Sequence, residues 1–381
     1  MATVLIVEPN PGGHRFQYVR YVVQNLPANH EPVLLTSVGA STCDEYRFNL
    51  GDIDVRTLEV FAGAAPAIVQ LAEGVAAACK EQSAAIVLLM DADVALKTWW
   101  WVARRWLRPL TPRPEISILL TRYPMRSALR DRRAMLHRVA KGAATLLGML
   151  SGTITRASAI AGHEDTTRGL LISRVRDPAF CSAHSRDRAR LRAQFGLPAE
   201  RKLVGVFGRI TVDKNIPMLA EAVRESGEDV DLLIVGQVSS EVADWLAGQT
   251  CDIRDRIVVR PGFLAEDVMD GLLAACDVVS VVQNYDRPSA VMGRALAAEV
   301  PLVTGGSRVR ERELRLIGGG LATQTTPGSI AEAVGRLLAS KDAGALSGTI
   351  SMPTPEELTM TLLGHRGQAV VSALHLPRTR P

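Results

Sequence analysis

Two cations, Arg209 and Lys214, lie where their charges could act on a ligand. They follow the apolar run Leu203–Phe207, which has the pattern of a buried strand and ends at Gly208. A helical pattern begins just after Lys214, so both cations are predicted where a strand gives way to a helix. In an open α/β sheet this edge binds ligands, and the helix N-terminus adds N–H groups and a positive dipole end. The arrangement suits a diphosphate; the alternative is a surface turn with two solvated cations.

These cations need a sheet to hold them, and both halves of the chain alternate strand-like and helix-like runs. In the first half, strands are predicted at Val4–Val7, Pro32–Thr36, Asp54–Val60, Ala85–Met90 and Ile116–Thr121, with helices near residues 14–26, 66–81, 95–107 and 132–149. In the second half, strands are predicted at Leu203–Phe207, Asp231–Val235, Arg256–Val259, Val278–Val282 and Pro301–Thr304, with helices at 215–225, 239–247, 265–275, 289–299 and 327–339. Thr211 or Asp213 is predicted to cap the helix at 215–225, and Pro217 suits its first turn. This alternation predicts an α/β fold with a parallel, doubly wound sheet in each half.

The boundary between the halves is predicted in a polar, arginine-rich stretch that runs from Arg174 to Arg192. The pair Asp177-Pro178 within it breaks helices, and we place the hinge near residues 165–180. Residues 1–170 are therefore assigned to an N-terminal domain and residues 171–352 to a C-terminal domain. Residues 353–381 form a tail with a predicted helix at Glu356–Leu363.

The pattern Gly208-Arg209, then Lys214-Asn215, resembles the donor-binding turn of GT-B glycosyltransferases of the retaining, glycogen-synthase-like class (glycosyl transferases group 1). The resemblance covers most of residues 200–340. In the first half it rests on the order of elements and one glycine-rich turn. It implies two Rossmann-like domains facing a cleft, with the acceptor on the N-terminal domain, the nucleotide-diphosphate sugar on the C-terminal domain, and a tail helix crossing back. A hexosyl group would pass to an acceptor hydroxyl, with retention and without a metal.

Residues 277–304 resemble the signature block of that class, which carries two glutamates separated by seven residues. In the family the first meets the donor sugar and the second binds the ribose hydroxyls. Alignment on the helix places Asp286 first, implied to orient the sugar, and Arg294 second. Arg294 cannot accept hydrogen bonds from a diol, so it binds donor phosphate, the nucleotide is held differently, or donor binding is lost. Ser289 and Ala290 begin the helix and are predicted donor contacts.

Glycine-rich turns follow three other strands and would let a ligand approach the backbone. In the family such loops meet the donor phosphates, the acceptor and the nucleotide base, which makes candidates of Gly12, Gly13, His14, Gly236, Gly262 and Phe263. The first turn is not GxGxxG, so a dinucleotide fingerprint is not supported. Tight turns without a ligand, and a structural role for His14, are the alternatives.

Asp91 and Asp93 follow the apolar run Ile86–Met90 as the triplet Asp-Ala-Asp. Taken alone, this is the device by which GT-A glycosyltransferases hold a divalent cation and a diphosphate. In a GT-B protein either carboxylate could instead bind or deprotonate an acceptor hydroxyl. Arg122 falls where many relatives have a histidine facing the donor sugar, and it is a candidate donor contact.

Trp99-Trp100-Trp101 lies beside Arg104 and Arg105, and the basic character continues to Lys141. An anionic membrane surface, a platform for sugar rings, or a helix with its Trp face in the core would each account for this composition. The first implies a lipid-linked acceptor and the others a small-molecule or glycan acceptor. Nucleic-acid binding is not expected, because no recognised module surrounds the basic run.

Composition restricts the setting further. A chain of 381 residues with net charge +4 suits two domains and anionic ligands. The five cysteines do not have the spacing of a zinc site or a disulfide framework, and no signal peptide or membrane-spanning run is evident. We therefore expect a bacterial cytoplasmic protein. It would lie at the inner face of the membrane if the Trp/Arg segment docks there. No cofactor is predicted besides the nucleotide-sugar co-substrate. Two rivals remain: a metal-dependent GT-A-like enzyme using Asp91 and Asp93, and a catalytically silent GT-B binding protein.

Overall fold

The structure is a computed structural model that describes residues 1–13, 15–123, 132–163, 165, 169–285, 289–339 and 352–364. The chain divides into two compact units. Unit 1 contains residues 1–161, 165–177 and the segment from Thr354 onward, and unit 2 contains residues 162–164 and 178–353. The chain passes between the units at Asp177-Pro178, seven residues after the domain boundary predicted from sequence.

Unit 1 is built on a seven-stranded sheet with the order β3-β2-β1-β4-β5-β6-β7, in which every pairing is parallel. Its strands are β1 (Ala2–Val7), β2 (His30–Ser37), β3 (Arg56–Phe61), β4 (Ile86–Leu89), β5 (Glu115–Leu120), β6 (Arg156–Ala161) and β7 (Ser173–Arg176). The strand order reverses between β1 and β4. At such a switch point the loops at the carboxyl ends diverge and leave room for a ligand.

The helices of unit 1 cover both faces of this sheet, as the two buried clusters around its strands show. They are α1 (Arg15–Gln24), α2 (Asp44–Leu50), α3 (Ile68–Glu81), α4 (Leu96–Leu107), α5 (Arg132–Leu150) and, from the end of the chain, α14 (Pro355–Leu363). The tail helix α14 packs against α1, where Thr359 donates a hydrogen bond to the Tyr21 carbonyl at 3.3 Å. Its Glu357 also pairs with Arg176 of β7 at 2.7 Å.

Unit 2 repeats the plan with a six-stranded sheet of order β10-β9-β8-β11-β12-β13, again parallel throughout. Its strands are β8 (Lys202–Phe207), β9 (Val230–Gly236), β10 (Ile257–Pro261), β11 (Val278–Val282), β12 (Leu302–Gly305) and β13 (Gly320–Ala322). Its helices are α6 (Arg188–Phe195), α7 (Ile216–Ser226), α8 (Ser240–Ala247), α9 (Cys251–Arg254), α10 (Glu266–Ala274), α11 (Ala290–Ala297), α12 (Arg308–Ile317) and α13 (Pro327–Ala339). The switch point lies between β8 and β11.

The predicted α/β class with two Rossmann-like domains is confirmed, and each predicted strand is present within two residues of its expected limits. The sequence reading missed β6, β7, β13, α2, α6, α9 and α12. The missed strands β6 and β7 read Arg-Ala-Ser-Ala-Ile-Ala and Ser-Arg-Val-Arg, so they lack the apolar run that marks a central strand. β7 is the edge strand, where fewer side chains are enclosed on both faces. β6 lies beside it and is largely buried, but its small Ala and Ser residues give little hydrophobic signal.

Candidate functional site

Three neighbouring strands of unit 2 end in glycines with positive φ. The φ angles are 94° at Gly208, 126° at Gly236 and 107° at Gly262, a region that side-chain-bearing residues rarely adopt. The Gly262 N–H donates to the Gly236 carbonyl at 3.0 Å. A Cβ atom on Gly236 would lie 2.0 Å from the Gly208 carbonyl oxygen, so this position requires glycine. The three predicted glycines therefore lie side by side and form a ledge of backbone at the carboxyl edge.

The two predicted diphosphate cations lie on this edge in different environments. Arg209 is exposed, and its side chain makes no hydrogen bond or ion pair with any residue the structure describes. Lys214 is 7% exposed, and its Nζ donates to the Phe207 carbonyl at 2.8 Å. Burial, with a smaller contribution from the positive charge of Arg310, lowers the Lys214 pKa to about 8. An anion bound here would favour the charged form of Lys214.

The turn after β8 is built differently from the sequence prediction. Neither Thr211 nor Asp213 caps α7, since residues Val212–Lys214 form a 3₁₀ turn and Asn215 is the cap, in the left-handed conformation and without a capping side-chain bond. The Asn215 amide instead exchanges hydrogen bonds of 3.0 and 2.8 Å with the Asn284 amide. This pair ties the loop after β8 to the loop after β11 across the switch point. Pro217 lies in the first turn, as predicted.

Arg310 on α12 is a site residue that sequence reasoning missed. It is fully buried, and its guanidinium donates to the carbonyls of Tyr285 at 2.8 Å, Gln283 at 2.9 Å and Gly305 at 3.1 Å. It also lies over the Tyr285 ring, 5.5 Å from its centroid. Arg310 thus orders the segment that leads into Asp286. Local sequence carries no signal for this role, because every partner comes from another element.

Arg294 occupies a buried ion-pair cluster between α10 and α11. Its Nη1 donates to Asp270 Oδ1 at 2.7 Å, and its Nη2 pairs with Glu266. Asp270 also accepts from the Ser182 N–H at 2.7 Å and the Ser182 hydroxyl at 3.0 Å. Two carboxylates therefore account for the burial of this cation without any ligand.

Other donor-binding candidates can be placed in unit 2. Ser289 is the N-cap of α11 and makes no side-chain capping bond, and Ala290 is the first helical residue, as predicted. Phe263 follows the Gly262 turn with 38% of its surface exposed. Asp286 of unit 2 and His14 of unit 1 lie outside the described residues.

Asp91 lies at the carboxyl end of β4 in unit 1, with φ of 43°. One carboxylate oxygen accepts from Arg15 Nε at 2.9 Å and Nη2 at 2.7 Å, and the other accepts from the Thr121 hydroxyl at 2.6 Å. Burial raises the Asp91 pKa, but these hydrogen bonds and the charges of Arg15 and Arg122 outweigh it and hold the pKa below its usual value. Asp91 is therefore an ionised carboxylate paired with one arginine.

Asp93 has a different set of partners. Its Oδ2 accepts from the backbone N–H groups of Thr121 at 2.7 Å and Arg122 at 2.9 Å, and its Oδ1 pairs with Lys141 of α5. Lys141 also donates to the Arg122 carbonyl at 2.6 Å. Asp93 thus holds the loop after β5 in place, while the Arg122 side chain is exposed. The two carboxylates of the Asp-Ala-Asp triplet are each committed to a separate cation.

Glu8, at the end of β1, was not a candidate from sequence. It is 2% exposed; its Oε1 accepts from the Asn10 N–H at 3.0 Å, and its Oε2 has no hydrogen-bond partner among the described residues. Burial raises the Glu8 pKa to about 8, against the lowering effects of the Asn10 N–H and the Arg15 charge, so this carboxyl group is largely protonated near neutral pH. The following turn is fixed by Asn10, which accepts from the Gly12 N–H at 2.9 Å, and by Arg15, which donates to the Gly12 carbonyl at 3.0 Å. Gly13 completes it with φ of 75°.

The tryptophan segment divides between core and surface. Trp99 is buried, and its indole N–H donates to the Thr153 carbonyl at 2.9 Å, whereas Trp101 is 66% exposed. Next to α4, helix α5 exposes an apolar stripe formed by Leu136, Val139, Leu146, Leu147 and Leu150. Exposed arginines accompany this surface on both helices, at Arg104, Arg105, Arg132 and Arg133.

Two further observations concern the described residues as a set. They contain no cluster of three or more His, Cys, Asp or Glu side chains arranged to hold a metal ion. No helix among them combines the length and apolar character needed to cross a bilayer.

Comparison with known proteins shows a match to a family model over part of the chain. Residues 201–340 match the model of the family described as Glycosyl transferases group 1. A D-inositol 3-phosphate glycosyltransferase from Xylanimonas cellulosilytica is 30% identical over 158 residues, which make up 40% of this chain and 37% of that relative. The sequence match thus spans little more than a third of the relative's length.

Solved structures match the fold over nearly the whole chain. Sucrose-phosphate synthase from Thermosynechococcus elongatus aligns with a TM-score of 0.59 at 14% identity, covering 98% of this chain and 97% of its own. Anabaena HepE, solved with UDP and glucose, aligns with a TM-score of 0.63 at 14% identity, covering 99% and 100%. The predicted resemblance to group 1 GT-B glycosyltransferases is confirmed.

Proposed function

Because this chain resembles group 1 GT-B glycosyltransferases in fold and over residues 201–340, we propose that it transfers a sugar from a nucleotide-diphosphate sugar to an acceptor hydroxyl. The observation that carries the proposal is the edge of unit 2, where Arg209 and Lys214 flank a ledge of positive-φ glycines. Backbone N–H groups, an exposed guanidinium and a buried ammonium are the groups that bind a diphosphate.

The chemistry assigned to the two cations is charge neutralisation. When the bond between the sugar and the diphosphate breaks, negative charge grows on the leaving phosphate. Arg209 and Lys214 would stabilise that charge more strongly in the transition state than in the ground state. Lys214 gains from its burial, since an ion pair is stronger where water is excluded. Asp286 remains the proposed orienting group for the donor sugar, and the acceptor is proposed to bind unit 1.

Transfer without a metal is supported by the bonding of the Asp-Ala-Asp triplet. A divalent ion shared by Asp91 and Asp93 would have to displace Arg15 from one and Lys141 from the other. With two protein cations at the diphosphate edge, an ion is not needed for charge neutralisation. Retention of the anomeric configuration is proposed from the resemblance alone, and the anomer of the isolated product measures it.

The proposed activity is tested by donor binding and by transfer. HepE was solved with UDP and glucose, so UDP-glucose is the first donor to test, followed by sugars carried on other bases. A donor present at about 100 times its Kd should stabilise the folded protein by roughly 2.7 kcal/mol, which appears as a rise in Tm. Transfer should persist in EDTA. If nucleotide sugars neither stabilise the protein nor are consumed, the enzyme proposal fails and the silent binding protein replaces it.

UDP affinity is expected to depend on pH through Lys214. Its pKa is about 8 in the free protein, so below that pH the ammonium is ready for the diphosphate. Above about pH 8 a proton must be taken up on binding, and Kd should rise by up to about tenfold per pH unit. Calorimetric titration with UDP between about pH 7 and about pH 9 measures this effect. The Lys214→Met variant should bind more weakly and lose the dependence; an unchanged pH profile in that variant would assign it to another group.

We also propose that unit 1 makes peripheral contact with an anionic membrane through the exposed face of α4 and α5. The face combines Trp101 and the apolar stripe of α5 with arginines, each worth about 1 kcal/mol on an anionic surface. The protein should co-sediment with vesicles containing phosphatidylglycerol at low salt and be released at high salt. Vesicles of phosphatidylcholine alone are the control. Leu147→Glu should weaken sedimentation without lowering Tm, and equal sedimentation of that variant would remove this face as the docking surface.

A further inference from the structure

Unit 1 contains a pocket of about 500 Å³ at the switch point of its sheet. Its floor is formed by the carboxyl ends of β1 and β4, at Val7 and Leu89. One wall comes from residues 64–68 at the start of α3 and another from residues 94–98 at the start of α4. The volume lies in the range of pockets that enclose a small organic molecule.

The lining of this pocket is mainly apolar. Alanine, proline, valine, isoleucine, leucine and methionine side chains supply most of it. Most of the polar groups lie on one side, where Glu8, Asn10, Arg15 and Asp91 meet with Arg122 nearby, and Thr98 adds one hydroxyl on the α4 wall. A ligand that fills the space must therefore place an apolar body against the two helix starts and direct a polar group toward the β1–β4 junction.

The charges at this junction are already balanced. The Arg15 guanidinium lies between the two acids, 2.7 Å from Asp91 Oδ2 and 3.9 Å from Glu8 Oε1. Asp91 is ionised and neutralises the positive charge of Arg15, while the buried Glu8 carboxyl group is mostly protonated. Arg122 also lines the pocket, but its side chain is exposed and its charge is screened by solvent. A carboxylate or phosphate group of a ligand would therefore lie beside the ionised Asp91 without a buried cation to pair with. The site therefore favours an uncharged ligand.

One polar atom at the junction lacks a partner. Oε1 of Glu8 accepts from the Asn10 N–H, so the acidic proton belongs on Oε2, which has no hydrogen-bond partner among the described residues. A buried O–H donor without an acceptor costs free energy comparable to a lost hydrogen bond. A ligand oxygen in the pocket would accept this bond.

We propose that this pocket is the acceptor site and that it selects an uncharged alcohol with an apolar body, an oxygen of which accepts a hydrogen bond from Glu8. The inference rests on the proposed transfer activity and narrows its acceptor. It sets this chain apart from the aligned relative, whose named substrate, inositol 3-phosphate, is an anionic polyol.

The test is direct binding to the full-length protein without a donor, so that it is independent of the transferase assay. Three probes distinguish the effect of a negative charge on the ligand from the effect of an apolar body: 2-naphthalenemethanol, 2-naphthoate and inositol 3-phosphate. The alcohol is expected to bind at least tenfold more tightly than naphthoate, which has the same ring and a negative charge, and than inositol phosphate, which lacks an apolar body. If either anion binds as tightly as the alcohol, the assignment is overturned.

Variants locate the binding. Glu8→Gln keeps an N–H donor and should retain the affinity for 2-naphthalenemethanol, whereas Glu8→Ala should lose about tenfold. Ala65→Trp adds an indole to the exposed wall of the pocket and should abolish binding. Glu31→Gln, an exposed acid on β2, is the matched control and should behave as the wild type. Equal affinity in Glu8→Ala or Ala65→Trp, with Tm unchanged, would place the alcohol elsewhere.

The pH dependence gives a readout that a purely structural Glu8 would not produce. Arg15, Asp91 and Arg122 are the charged groups around it. Affinity for the alcohol should be constant below about pH 8 and weaken above it in the wild type, as Glu8 loses its proton. It should stay constant in Glu8→Gln; a wild-type affinity that does not change, or a variant that follows the wild type, overturns the role of Glu8. If UDP-glucose fails to bind while the alcohol result holds, the pocket remains a site for an uncharged alcohol, and its role as an acceptor site falls together with the transferase proposal.

Discussion

Arg209→Ala and Lys214→Met are each expected to lower kcat/KM for the nucleotide-sugar donor by about tenfold to somewhat over a hundredfold. Each removes a charge-assisted hydrogen bond to the diphosphate, worth about 1.5–3 kcal/mol. Because both cations act on the same leaving group, their effects should not be independent. The fold-decrease in kcat/KM of the double variant should therefore differ from the product of the two single decreases. Steady-state kinetics with UDP-glucose and calorimetric titration with UDP measure the transition-state and ground-state parts separately.

The matched control for this pair is Lys202→Met. Lys202 is exposed and is the first residue of β8. It therefore lies on the strand that leads to Arg209, but at the amino end of that strand and away from the proposed diphosphate site. Its loss should leave the kinetics unchanged. Lys214→Met should stay folded, since Met fills similar volume without a buried charge. Wild-type turnover in both Arg209→Ala and Lys214→Met would refute the placement of the donor on this edge.

How far the sequence predicts this site depends on how local each signal is. The strand before Gly208, the glycines that end three strands and the proline in α7 are short-range patterns. The structure has each of them where the sequence predicts it, because each depends only on a few neighbouring residues. Their meeting at one edge then follows from parallel topology, in which all carboxyl ends lie together.

The parts that could not be predicted are contacts between distant segments. Asn215 and Asn284 are 69 residues apart, so nothing in the sequence around Asn215 indicates that its amide is held by a loop rather than used as a cap. Arg310 was missed for the same reason, since its helix α12 carries more charged than apolar residues and resembles a solvated surface helix. Glu8 has no local signal either, because its burial arises only in the folded protein and the charged groups beside it, Arg15 and Asp91, come from other segments.

Arg294 shows the same limit most clearly. The sequence aligns it with a ribose-binding glutamate. A change to Glu would weaken donor binding if Arg294 contacts the nucleotide, and would restore a ribose contact without loss of stability if the position has drifted. The structure places two acids of α10 against it, at Asp270 and Glu266, neither of which belongs to the aligned block. Because these acids pair with the buried Arg294, the expected result of its replacement by Glu is a loss of stability.

Arg294→Glu is expected to destabilise unit 2 by about 3–5 kcal/mol, the cost of leaving buried charges without their partner, and the like charge of the new carboxylate adds to it. Among the residues that the structure describes, Ser182 is then the remaining hydrogen-bond donor to the Asp270 carboxylate. Urea unfolding gives the free energy, and UDP titration at low temperature gives donor affinity. The matched control is Arg312→Glu, the same charge change at an exposed position of α12, which should cost less than about 0.5 kcal/mol. Should Arg294→Glu prove as stable as that control and bind UDP at least as well as the wild type, the arginine's pairing with α10 would be incidental and the alignment with a ribose-binding glutamate would be the better account.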